Sequence, residues 1–161
     1  MLLSLAAAAL LNSTATVPLM SEDDLPALFV AACLDGSATT NGATPIDFNA
    51  LPSALRTRLG HPSASKVWKL RASQNAYLYS LTYTERGWGP NSCGVASETL
   101  PIQRASAAME TRLRGVPSNG SYTPTEWLDP KLGYRALTTR VGGFTILQIN
   151  TVNADQASTP R

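Results

Sequence analysis

The chain has 161 residues, a formal net charge of +2, charged side chains at 15% of positions and hydrophobic ones at 43%. That length suits one hydrophobic core. The apolar content excludes a wholly disordered chain, and the thin scatter of basic residues excludes the clustered Lys/Arg footprint of a nucleic-acid binder.

The first feature in chain order is an address. Leu2 to Leu11 form an apolar run followed by polar Asn12, Ser13 and Thr14 and then Ala15. This is the pattern of a signal-peptide core with small residues at a cleavage site, so residues 1–15 are expected to be removed, with the leader extending to 20 at most. No Lys or Arg precedes the run, a departure from the usual leader, and a buried Ala/Leu helix is the competing reading. No apolar run reaches the roughly 18–20 residues of a membrane-crossing helix, so the mature chain is expected to hold no transmembrane segment.

Ser21-Glu22-Asp23-Asp24 is helix-start chemistry. Leu25, Leu28, Phe29 and Ala32 follow at helical spacing, Cys33 falls in the last turn, and Gly36 closes the helix. Ser37–Pro45 reads as an exposed loop. Asp47 is placed to cap a second helix running to Leu59, with Phe48, Leu51, Leu55 and Leu59 on one face and Gly60 as its stop. Strand patterns come next: Val67–Leu70, then Ala76–Thr84, where Tyr77, Tyr79, Leu81 and Tyr83 alternate with Leu78, Ser80 and Thr82. Gly87-Trp88-Gly89-Pro90-Asn91 is turn chemistry, and Cys93–Ala96 is extended.

Pro101 opens a third helix, with Ile102, Ala105, Met109 and Leu113 on one face and Gly115 after it. Val116–Thr125 is a Gly/Pro/Ser/Asn loop, and Glu126-Trp127-Leu128 a short apolar piece. Gly133–Arg140 and Phe144–Thr151 are strands around Gly142-Gly143, a hairpin signal. Residues 152–161 read as a polar, disordered tail. The expected fold is α+β: one domain over 21–151, an antiparallel sheet covered by about three helices and tied by one disulfide.

That disulfide follows from counting. Cys33 and Cys93 are the two cysteines, lack CxxC spacing, and have only His61 as a companion ligand, a poor metal set, so no metal site is expected. In an oxidising compartment such a pair joins. Two rival uses exist. The pair could stay as buried free thiols. Alternatively, Val30-Ala31-Ala32-Cys33 resembles a lipobox, which would lipidate Cys33. Against the lipobox, Glu22, Asp23 and Asp24 lie just ahead of it, Leu25–Ala32 is short, and Pro26 interrupts that stretch.

Catalytic signatures are sparse. His61 is the single histidine, between Gly60 and Pro62, and no serine stands in a Gly-x-Ser-x-Gly elbow. Glu85, Glu98, Glu110 and Glu126 are isolated carboxylates from which no acid–base pair stands out. No phosphate-binding loop or dinucleotide fingerprint occurs, so no cofactor is expected. The distinctive feature is aromatic: Tyr77, Tyr79 and Tyr83 share one strand face and Trp88 sits in a turn. These four are the candidate binding surface, an aromatic platform if exposed or core if covered.

The layout of an early helix Ser21–Cys33, then Cys93-Gly94-Val95, the helix Pro101–Arg114 and the hairpin Gly133–Thr151 resembles small exported bacterial proteins of unknown function with a single cysteine pair. The resemblance implies a cell-envelope location and a disulfide, and no activity. The functional expectation is an exported, periplasmic or secreted, binding or accessory module for a protein or a small apolar ligand, with no nucleic-acid partner. The alternative is a hydrolase-like enzyme, in which His61 or two carboxylates converge on a serine or a water.

Overall fold

The structure is a computed structural model that describes residues 19–37, 42–72, 74–84, 90–113, 125–129 and 134–151. The leader through residue 18, Trp88 with its turn, and the tail from residue 152 lie outside the described residues.

Helix α1 spans Asp24–Phe29 and continues into a π-helical turn, Val30–Leu34. Its start is a reversed cap: the Asp24 carboxylate accepts from both the backbone N–H and the hydroxyl of Ser21 (2.9 and 2.8 Å). This is one half of a capping box, the acid three residues on reaching back to the first exposed donor.

The expected second helix is divided. Asp47 caps as anticipated, accepting from the Asn49 N–H at 2.7 Å, but the turn it caps is a 3-10 turn, Phe48–Ala50. Leu51 is then extended (ψ 149°), and α2 runs only over Ser53–Leu59. Pro52 is the cause, because its ring bars the preceding residue from helical backbone. The third helix, α3, covers Ile102–Leu113 behind Pro101, close to expectation.

Seven strands form one antiparallel sheet: β1 Thr44–Ile46, β2 Ala64–Lys69, β3 Ala76–Thr82, β4 Asn91–Ser97, β5 Thr125–Asp129, β6 Tyr134–Val141 and β7 Phe144–Thr151. Their spatial order is β1-β2-β3-β4-β7-β6-β5. Strand β1 falls inside and just beyond the stretch expected to be loop. It is an edge strand carrying Pro45, a residue tolerated there because an edge amide need not donate. Strands β6 and β7 join at Gly142-Gly143, with φ of 55° and 88°, the two left-handed residues of a type I′ hairpin. A Cβ at Gly142 would collide with the Ala54 side chain, so the hairpin tip sits against α2.

Both faces of the sheet are covered. On one, Leu25 and Phe29 of α1 and Ala105 and Met109 of α3 pack on Leu78, Val95, Leu147 and Ile149. The buried side chains on the other are Leu55 and Leu59 of α2 with Val67, Tyr77, Tyr79, Leu81, Phe144 and Ile146. The layers are joined on the first face by the Cys33–Cys93 disulfide (Cα–Cα 5.4 Å), which ties the π turn after α1 to β4. An exposed ion pair between Arg104 and Asp23 links α3 to the start of α1.

Candidate binding site

Tyr77 and Tyr79 of β3, and Tyr83 just past its end, are core. Tyr77, Tyr79 and Tyr83 are 5%, 0% and 7% exposed, beneath α2. Their alternation with Leu78 is as expected, but the ring faces are packed, so these residues form no open platform. The reason is the cover on both faces: a strand in the middle of a double-covered sheet has no wet side to offer.

The hydroxyls of Tyr83 and Tyr79 are also engaged. Tyr83 donates to the Leu59 carbonyl at the end of α2 (2.6 Å). Tyr79 donates to the Gln148 side-chain carbonyl (2.8 Å), and the Gln148 amide donates to Asn150 (2.8 Å). Cross-strand register explains the first contact, because Tyr79 faces Gly94 and Gly94 faces Gln148. The phenol ring crosses the vacant side-chain position of Gly94 to reach the next strand. Burial, aided by the charge of Glu98, pushes the Tyr77 hydroxyl above its ordinary value of 10.0.

Among the described residues, two clefts stand out by their lining. The first lies on the α1 face beside the disulfide, about 160 Å³, lined by Ala32, Gly36, Trp68, Leu78, Ser80 and Cys93 and by β3 at Tyr79. Trp68 is half-buried against the cluster that contains Leu78. The second follows the outer flank of α2, about 360 Å³, lined by Phe48, Asn49, Ser53, Arg56, Thr57, Gly60 and His61. Sequence reasoning did not single out Trp68 or Arg56. Trp68 falls inside the strand pattern Val67–Leu70, and Arg56 lies on the polar side of the helical pattern that ends at Leu59.

The second cleft brings His61 and a serine onto one surface, as a hydrolase would require, but at opposite ends. Ser53 begins α2 and His61 follows its end, so about 1.5 Å of rise per residue separates them by about 10 Å or more. A nucleophile and its base must lie within about 3 Å. Among the described residues, no Asp or Glu lines either cleft. Of the four carboxylates read from the sequence, Glu98 accepts twice from the Asn75 amide and Glu110 is exposed on α3. Glu85 and the side chain of Glu126 lie outside the described residues. Among the described residues, no three His, Cys, Asp or Glu gather as a metal site would require, and no helix is long and apolar enough to cross a membrane.

The chain matches no protein-family model, no curated protein and no solved structure.

Proposed function

We propose that this chain is a small exported binding module that takes a compact apolar ligand in the cleft beside its disulfide. The observation that carries this reading is the half-buried Trp68 indole, open to a cleft whose other walls include Leu78, Ala32 and Cys93. An indole offers a large apolar area with one donor at its edge, the chemistry of a ligand-holding wall. About 160 Å³ is close to the size of an apolar cavity that holds a benzene-sized molecule. Export is supported by the disulfide, which persists in oxidising compartments, together with the leader pattern of residues 1–15. A non-catalytic role is supported by the distance between Ser53 and His61.

Two measurements test the proposal. Titrating the oxidised protein with toluene and with indole, followed by NMR, is expected to move the Trp68 indole N–H saturably, and Trp68→Ala is expected to abolish the saturable response in the residues around it. A Trp68 signal that stays fixed up to the solubility limit of both probes overturns the ligand site. N-terminal sequencing of protein recovered outside the cytoplasm is expected to begin after Ala15 and by Ser21; a start at Met1 overturns cleavage.

A further inference from the structure

We infer that the outer flank of α2 is a second, separate binding site, for a small phosphorylated ligand that carries a ring. The inference does not depend on the Trp68 cleft, which lies on the opposite face of the sheet.

The first ground is the donor set. Ser53, Arg56 and Thr57 fall on one face of α2 at helical spacing, and all three line the cleft with Asn49 and His61. Hydroxyl, guanidinium, amide and imidazole groups thus border one space, and no carboxylate is among its described lining residues. The second ground is how Arg56 is held. Its Nε donates to the Leu51 carbonyl at 3.1 Å, the carbonyl that Pro52 forces out of the helix. That bond fixes the plane of the guanidinium and uses its side edge, which leaves the two Nη groups as the end presented to a ligand. The exposed ion pair of the fold joins Arg104 to Asp23, away from α2, and no described carboxylate pairs with Arg56.

The geometry selects the anion. Asn49 precedes the helix, Ser53, Arg56 and Thr57 run along it, and His61 follows it. Ser53, Arg56 and Thr57, within one turn of each other, offer two hydroxyls and a guanidinium to one anion, which suits the three free oxygens of a phosphate monoester better than the two coplanar oxygens of a carboxylate. Asn49 and His61, toward the two ends of the cleft, are left for the rest of the ligand. The size selects the rest of the ligand. A cleft of about 360 Å³ falls within the range of small-molecule sites and far exceeds a lone ion. Phe48, half-buried, supplies an apolar floor on which a sugar or aromatic ring can lie.

The test is an NMR titration of the oxidised protein with inorganic phosphate, glucose 6-phosphate and glucose. Both phosphates are expected to shift the signals of Ser53, Arg56 Nε and Thr57, and glucose 6-phosphate that of His61 as well, with glucose 6-phosphate at least tenfold tighter than inorganic phosphate. Glucose at the same concentration is expected to leave them in place. Arg56→Gln is expected to weaken glucose 6-phosphate at least tenfold. Thr57→Val replaces an exposed hydroxyl by a methyl of the same shape, and is expected to weaken it several-fold with the spectrum otherwise intact. Trp68→Ala is expected to change nothing. Equal shifts at the exposed Lys66 and Lys69, equal binding of glucose, or wild-type affinity in Thr57→Val each overturn the inference. The Thr57 variant keeps the test decisive if losing the Arg56–Leu51 bond disturbs α2.

Discussion

Replacing Gly94 by alanine isolates the contact on which the middle of the sheet depends. Its backbone is not in the left-handed region, so alanine meets no conformational objection there. In a strand interior, alanine is ordinarily better than glycine by roughly 0.5–1 kcal/mol. The surroundings reverse that sign. An added Cβ would stand 2.5 Å from Tyr79 Cζ, closer still to its hydroxyl, and 2.6 Å from the Leu147 carbonyl oxygen. The phenol cannot swing away freely, because it is wholly buried and bonded to Gln148. Overpacking a tight core costs about 1–3 kcal/mol, and stranding the buried Gln148 carbonyl without its donor adds about 1–3. Gly94→Ala is therefore expected to destabilise the oxidised protein by about 2–6 kcal/mol, a large share of the roughly 5–15 of a typical domain.

Urea unfolding of wild type, Gly94→Ala, Tyr79→Leu and the double variant measures this directly. Tyr79→Leu withdraws the far end of the ring, so the double variant is expected to lose at least about 1 kcal/mol less than the sum of the single losses, a coupling typical of residues in contact. Neutral or stabilising Gly94→Ala, or strict additivity with Tyr79→Leu, refutes the crossing of the ring over Gly94.

Other expectations follow from the packing and the titrating groups. Unfolded, unreduced protein is expected to show no free thiols, and Cys33→Ser/Cys93→Ser is expected to lose about 4 kcal/mol by urea unfolding, the chain-entropy value for a loop of 60 residues; a loss under about 1 kcal/mol would count against the tie between layers. Leu55→Ala, at the fully buried centre of α2, is expected to cost about 2–5 kcal/mol, and a smaller loss in thermal unfolding would mean that α2 is loosely seated. The Ser21 hydroxyl, with its backbone N–H, holds the Asp24 carboxyl below its ordinary 3.8. A carboxyl lowered on folding adds stability that is present above its unfolded value and lost as pH falls through the folded one. Ser21→Ala is thus expected to raise the Asp24 midpoint, read by NMR of its side-chain carboxyl carbon; an unmoved midpoint would remove the cap.

The elements most legible in the sequence were those specified by local chemistry. Pro101 opened α3, Gly142-Gly143 marked the hairpin, and the alternation over Tyr77–Tyr83 placed its faces correctly. Errors arose where a proline acted against a periodic pattern. Leu51, Leu55 and Leu59 keep helical spacing across Pro52, and the spacing outweighed the break. The Thr/Gly/Asn-rich composition before it made the edge strand Thr44–Ile46 look like loop. The sequence pattern names three covering helices but not which face of the sheet each one covers. Antiparallel strands with one wet face alternate apolar with polar residues, whereas β7 is buried from Phe144 through Asn150. Its polar members, Thr145, Gln148 and Asn150, are buried in the fold. Nothing local in the sequence tells such a threonine or glutamine from an exposed one, because what buries it is a helix from elsewhere in the chain.

The same double cover accounts for where recognition can lie. Tyrosines in the middle of the sheet supply core volume and cross-strand hydrogen bonds, so open aromatic and polar surface is left to the margins. Trp68 stands on β2, one strand from the edge, and the Arg56 cleft follows a helix whose inner face is already buried. The two margins are held by different constraints. Around Trp68 the fixed point is the disulfide, which holds the turn after α1 against β4. Along α2 the fixed points are Pro52 at its start, the Tyr83 bond to the Leu59 carbonyl at its end, and the Gly142 turn pressed against Ala54. The cysteine pair first read as a sign of compartment therefore acts mechanically on one layer only, and the α2 cleft owes its shape to a proline, a buried phenol and a glycine.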